Sequence, residues 1–274
     1  MQNNKTVQLQ KPFHYIDVGK GEVLLLIHGW LGTKEDFEFN IDALAKKYRV
    51  ITFDLPGNNG VKDLGPSDIN GYIAFIREFL KATSLVTKKI TIIGQSFGAS
   101  IVLNYVNKYP QNIKKIVLFS LVLTQSNGQR KFLSKFLLRY KNTRILQFLI
   151  GKLKSSNFYI RYIVDLTCIK TSKNFKRIAE VTKEGLIKST AKTYIEGYAS
   201  LLTLESEKEL KTLERSRIPY LIIYGDKDKV VSLNLLPKLT FLQNKIKMIK
   251  NANHSPNRDF PELFNKTVFT YLEK

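Results

Sequence analysis

Hydrophobic positions in the first 124 residues follow two alternating rhythms. Short apolar runs, "FHYIDVG", "VLLLIHG", "RVITFDLPG", "KITIIG" and "IKKIVLFS", have the length and β-branched content of strands. Between them lie longer stretches with apolar residues three and four apart. "DFEFNIDALAKKY" sets Phe37, Ile41, Leu44 and Ala45 at helical spacing. "INGYIAFIREFLKATS" and "SFGASIVLNYVNKYP" also read as helices, the latter stopped at Pro110. Strands alternating with helices predict an α/β fold: a mostly parallel central sheet flanked by helices on both faces, with right-handed crossovers.

From about Gln125 to Arg217 the strand rhythm vanishes and helical, charged sequence takes over. Strands return at "IPYLIIYGD" and "KIKMIK", followed by the helical stretches "LNLLPKLTFLQ" and "PELFNKTVFTYLEK". An all-helical block inside an α/β alternation reads as an insertion over the carboxyl end of the sheet. The expected organisation is therefore an α/β core of residues 1–124 and 218–274 with a helical cap of residues 125–217. With 274 residues, 43% of them apolar, the chain can bury a substantial core.

Charge changes this picture at one place. The formal net charge is +21, and residues 125–177 alone carry +12 of it, with Asp165 as their single acidic residue. Within "RKFLSKFLLRYKNTRILQFLIGKLK" (130–154), Phe132, Leu133, Phe136, Leu137 and Leu138 alternate with Lys131, Lys135 and Arg139. Two readings fit: a cap helix with its apolar side on a pocket and its lysines in water, or an amphipathic face for an anionic membrane surface or an acidic carrier protein. No fold or motif for specific nucleic-acid recognition accompanies the charge. The amino-terminal stretch lacks the apolar segment of a secretory leader, and the longest apolar runs are too short to cross a bilayer. Cys168 is the one cysteine, so no internal disulfide can form, and a cytoplasmic protein is the expectation.

The chemistry concentrates at Gly94-Gln95-Ser96-Phe97-Gly98, where a strand pattern runs directly into a helix pattern. A serine there can simply cap the helix. Alternatively the turn is so tight that the serine backbone is strained, the flanking glycines supply room, and the hydroxyl is held out at the sheet edge beside the helix N-terminus.

Four further segments favour the second reading. "LLLIHGWLGTKEDF", "FDLPG", "IIYGDKDKVV" and "NANHSP" stand in order around "IIGQSFGA", and together these resemble the α/β-hydrolase superfamily over nearly the whole chain outside the cap. The resemblance implies a serine hydrolase acting on an ester or related acyl bond without a cofactor. Ser96 would be the nucleophile and His254 the base, since His14 falls in a strand and His28 in a loop where shaping and packing suit it better. The acid is Asp226 or Asp228 by position, and the family pattern G-D-x-D points to Asp228, leaving Asp226 to hold the turn. The backbone N–H groups of Trp30 and Phe97 would form the oxyanion hole, with the Trp30 ring either lining an acyl pocket or filling the core between loop and cap.

A serine nucleophile excludes the aspartate chemistry of the superfamily's dehalogenases and epoxide hydrolases. The loop "DLPGNNGVKD" departs from the usual D-x-P-G-x-G, which touches substrate shape and leaves mechanism intact. No metal-ligand spacing and no phosphate-binding loop occurs. The apolar content near the presumed cap entrance suggests a hydrophobic acyl group. The same residues also suit carbon–carbon bond hydrolysis, acyl transfer, or a small-molecule binding protein on a hydrolase fold.

Overall fold

The computed structural model describes residues 4–8, 12–124 and 126–274, with side chains from Tyr15 onward. The side chain of His14 and the first expected cap residue, Gln125, lie outside that description.

The chain opens with strands β1 (Asn4–Gln8), β2 (Pro12–Val18) and β3 (Val23–Ile27), then a 3-10 turn at Lys34–Phe37 and helix α1 (Glu38–Leu44). There follow β4 (Arg49–Phe53), α2 (Ile69–Ala82), β5 (Ile90–Gln95), α3 (Phe97–Lys108) and β6 (Ile113–Phe119). Six helices come next: α4 (Gly128–Tyr140), α5 (Arg144–Ser155), α6 (Asn157–Thr167), α7 (Phe175–Lys188), α8 (Ala191–Thr203) and α9 (Ser206–Arg215). The chain closes with β7 (Tyr220–Gly225), β8 (Ile246–Ile249), α10 (Pro256–Asp259) and α11 (Pro261–Leu272).

Among the described residues the strands form one eight-stranded sheet in the order β1-β2-β4-β3-β5-β6-β7-β8. β1 and β2 pair antiparallel at one edge, and the pairs from β4 through β8 are parallel. β1 was not evident from the apolar pattern, because "NKTVQ" is mostly polar. "LNLLPKLTFLQ" forms two 3-10 turns, with Pro237 inside the first, where a proline lacks the N–H that an α-helix would use.

The continuous apolar runs are explained by two cores. In β3, Leu25 and Ile27 join the core that α2, α3 and α9 cover, whereas Leu24 and Leu26 face Ile41, Leu44, Phe264 and Val268 of α1 and α11. A strand buried on both sides cannot alternate polar and apolar residues.

The helical block is not uniform. α9 packs against α3, and its Leu210 and Leu213 are part of the main core. It thus serves as a flanking helix of the sheet, while α4 to α8 pack mainly on one another. The apolar stretch of α4 is mostly exposed. Phe132, Leu133, Phe136 and Leu138 are exposed, and the one buried residue of that helix is Ser134.

Beside the apolar packing of Leu31 and Trp30 on α6 to α8, a set of polar bonds ties these helices to the core. The buried Glu196 of α8 accepts from the Ser67 N–H and pairs with Lys141, while Ser67 Oγ lies 3.0 Å from Thr193 Oγ1. Two backbone bonds, Thr190 N–H to Gly57 O and Gly60 N–H to Lys188 O, join the same regions. Glu196→Ala would strand the Ser67 N–H and Lys141. We expect it to lower unfolding free energy by about 1.5–3 kcal/mol in urea titrations, with a smaller loss for Glu196→Gln, which keeps the acceptor.

Candidate active site

The carboxyl ends of β3, β5, β7 and β8 converge, and each leads into a segment singled out in the sequence. Ser96 occupies the junction of β5 and α3 with φ 52° and ψ −116°, a left-handed backbone that side-chain-bearing residues rarely adopt. Its flanking glycines are sterically required. A Cβ on Gly94 would lie 2.7 Å from Gly98 O, and one on Gly98 would lie 2.3 Å from His28 O and 2.5 Å from Ile27 O. The close approach of α3 to the end of β3 therefore depends on having no side chain there.

His254 Nε2 lies 2.9 Å from Ser96 Oγ, the hydroxyl donating when the ring nitrogen is neutral. On its other side Nδ1 is 2.9 Å from Asp228 Oδ2 and 3.1 Å from Oδ1, and the Asp228 side chain is fully buried. Asp228 Oδ1 also accepts from the N–H groups of Val230 and Val231, at 2.8 and 3.0 Å. Three donors thus hold one carboxylate. Asp226 is placed elsewhere: its Oδ1 accepts from Asn251 N–H at 2.6 Å, bracing the acid turn against the histidine loop. His28 is fully buried, with Nδ1 2.8 Å from Gly29 O and Nε2 accepting from Leu55 N–H at 2.9 Å, so it links the loop after β3 to the turn after β4.

Trp30 and Phe97 adjoin this group. Phe97 is the first residue of α3, where a backbone N–H has no acceptor within the helix. A Cβ on Gly29 would touch Ser96 Cβ at 3.4 Å, which brings the loop carrying Trp30 against the serine. The Trp30 ring packs under α8, 4.7 Å from the Tyr194 ring and 5.8 Å from that of Tyr198. Gly197 permits this, since a Cβ there would meet the indole at 2.6 Å. In the departing loop, Asn58 donates to Tyr72 Oη and accepts from Ser189 Oγ. Through Asn58 the loop thus reaches Ser189 at the end of α7, while Asn59 donates to Asp54 and Glu35.

Several supporting residues were not singled out in the sequence. Asn253 Oδ1 accepts from Lys229 N–H, its amide donates to Cys168 O, and its own N–H donates to Asp259 Oδ2. Asp259 Oδ1 accepts from Ile169 N–H, and Arg258 is paired with Asp36 at 2.7 Å. Burial raises the pKa of Asp259 above the ordinary carboxylate value, against the lowering by the N–H groups it accepts from. The Cys168 thiol is likewise raised by burial, and the nearby Arg258 guanidinium offsets part of that. "NANHSPNRD" reads as an exposed loop because it is polar throughout. The one available signal was the density of Asn, Asp and Arg beside His254.

The family model described as alpha/beta hydrolase fold matches residues 22–261, and the chain belongs to that family. It is a hydrolase. Among curated proteins it is 26% identical over 280 residues to the pimeloyl-[acyl-carrier protein] methyl ester esterase of Wigglesworthia glossinidia brevipalpis, covering 96% of this chain and 99% of that one. It is 28% identical to lipase 1 of Psychrobacter immobilis over 86% of this chain and 72% of that one. A thermophilic esterase from Thermogutta terrifontis superposes with a TM-score of 0.78 at 15% identity, over 99% of this chain and 98% of that one, a likeness of fold. Among the described residues no group of three or more His, Cys, Asp or Glu side chains is placed to hold a metal.

Two outcomes test the local geometry. Gly98→Ala should destabilise the protein by about 1–3 kcal/mol in denaturant titrations, since backbone oxygens cannot move aside. Cys168 should resist a thiol reagent at mildly alkaline pH in the native protein and react fully once denatured, as its burial and raised pKa require.

Proposed function

We propose that this hydrolase cleaves carboxylic esters through Ser96, His254 and Asp228. The observation that carries the reading is the pair of 2.9 Å contacts on the two sides of the His254 ring, one to Ser96 Oγ and one to Asp228 Oδ2. Ser96 Oγ attacks the ester carbonyl as its proton passes to His254 Nε2. Asp228 holds the Nδ1–H tautomer and stabilises the imidazolium that forms. Charge on the carbonyl oxygen is met by the N–H groups of Phe97 and Trp30 at the positive end of α3. His254 then returns the proton to the departing alkoxide, and water, deprotonated by the same nitrogen, releases the acid from the acyl-enzyme.

Trp30, which follows the Gly29 that meets Ser96, forms an aromatic cluster with Tyr194 and Tyr198, and this suits a hydrophobic acyl group. Helices α4 to α8 are read as the cap, with α9 assigned to the core. The names of two relatives, an esterase matched over 99% of its length and a lipase matched over 72%, support the reaction class. A cytoplasmic location is proposed on the single free thiol, Cys168. No helix among the described residues is long and apolar enough to cross a membrane.

A fluorophosphonate probe should label the wild type and leave Ser96→Ala unlabelled. With nitrophenyl esters of rising chain length, kcat should fall on the order of 10⁶-fold in Ser96→Ala and on the order of 10⁴-fold in Asp228→Asn. A well-folded wild type that neither labels nor turns over would leave a ligand-binding protein as the better reading, and near-normal activity of Asp228→Asn would remove that residue from the mechanism.

A further inference from the structure

Helices α4 and α5 are built inside out. A helix on a protein surface ordinarily buries an apolar stripe and exposes its charges. Here the only buried residue of α4 is Ser134, which donates to Ala199 O at 3.0 Å. The only buried residue of α5 is Lys154, whose ammonium donates to the carbonyls of Leu186 and Ile187 in the last turn of α7. Leu137, Leu146 and Ile150 are half-buried, and the other large apolar side chains of the two helices point outward. Phe132 is 72% exposed, Ile145 76%, Phe148 63% and, on α6, Phe158 84%.

Cations are interleaved with them. Arg130, Lys131, Lys135, Arg139, Arg144 and Lys152 are exposed, and none forms an ion pair among the described residues. Asp165, the one acidic residue between 125 and 177, is already paired with Lys170 at 3.2 Å. The face therefore offers apolar side chains and positive charge with no counter-charge of its own.

We propose that α4, α5 and α6 form a docking face for an anionic lipid bilayer. Charge complementarity selects it over a second copy, because a two-fold contact on this face would set one +12 segment against another. The exposure of the apolar groups selects it over an acidic protein. Side chains exposed by more than 60% stand clear of the surface, and a fluid acyl layer receives them at any spacing, whereas a folded partner needs matched pockets. Lysine and arginine beside them meet lipid phosphates.

On the inner side of α6, Ile160 and Val164 pack with Leu31, the neighbour of Trp30. One helix thickness, about 10 Å, thus separates the bilayer from the oxyanion loop. Delivery of membrane-borne esters to Ser96 rests on the esterase reading, but the docking itself does not.

The test is co-sedimentation with vesicles of phosphatidylcholine alone and of phosphatidylcholine mixed with phosphatidylglycerol, using wild type and the triple variant Phe132→Ser, Phe148→Ser, Phe158→Ser. Circular dichroism and turnover of a water-soluble ester report whether the variant is intact. The wild type should bind the anionic vesicles, less well as salt rises, and should not bind phosphatidylcholine. The triple variant should bind roughly tenfold or more weakly, with its circular dichroism and soluble-ester turnover unchanged.

Failure of the wild type to bind anionic vesicles would overturn the proposal. So would undiminished binding by the triple variant, which would reduce the face to a cationic patch. A dimer in sedimentation equilibrium that the triple variant abolishes, without vesicle binding, would assign the face to a second copy. Binding of polyglutamate with anionic vesicles ignored would assign it to an acidic protein. If the triple variant does not fold, Lys131→Glu, Lys135→Glu, Lys152→Glu serves instead, and retained vesicle binding by that variant would equally overturn the proposal.

Discussion

The site is organised by one close contact, the approach of the start of α3 to the last carbonyls of the β3 segment. Gly98 lies so near Ile27 O and His28 O that no side chain fits between them, and Gly94 is pressed as tightly against Gly98 and Ala99. This packing forces Ser96 into a positive φ, which costs of the order of 1–3 kcal/mol and is held by the surrounding sheet. The same contact brings the loop after β3 against Ser96. Strain at the serine and placement of the loop that carries Trp30 are thus two results of one steric constraint.

The histidine side of the site is held differently. His254 sits in a loop with no regular hydrogen-bond ladder, and rigidity there comes from buried polar side chains. Asn253 joins the histidine loop to the turn after β7 and to the end of α6 at Cys168, while Arg258, Asp36, Asn257 and Asn40 form a second buried set behind it. Such networks are costly when incomplete and specific when satisfied. The imidazole is consequently held on both ring nitrogens.

Helices α4 to α8 are attached to the core in part by the same type of interaction. Glu196, Thr193, Thr190 and Lys188 bond to the loop between β4 and α2, and that loop carries the Asn58-Asn59 departure from the family pattern. α8 meets the core through Gly197 and the Trp30 ring. The apolar side chains of α4 and α5 take little part in this attachment.

The order of strands and helices was legible along the chain because a buried parallel strand must be apolar on both faces and a covering helix must be apolar on one. β3 and α2 announce themselves for that reason. The strained serine was legible only in company: between two glycines at a strand-to-helix junction a serine can also cap the helix, and the four further segments favoured the tight turn.

What the linear pattern could not decide was direction and burial at a distance. "NANHSPNRD" looks like a polar loop and Asp36 opens a segment read as a helix, yet Asn257, Arg258 and Asp36 are buried against each other across more than two hundred residues. α4 and α5 show helical spacing in either orientation, and α9 resembles its cap neighbours until it is seen on α3. Local sequence determines which face of a segment is apolar, but only the assembled chain determines whether another surface is present to cover it.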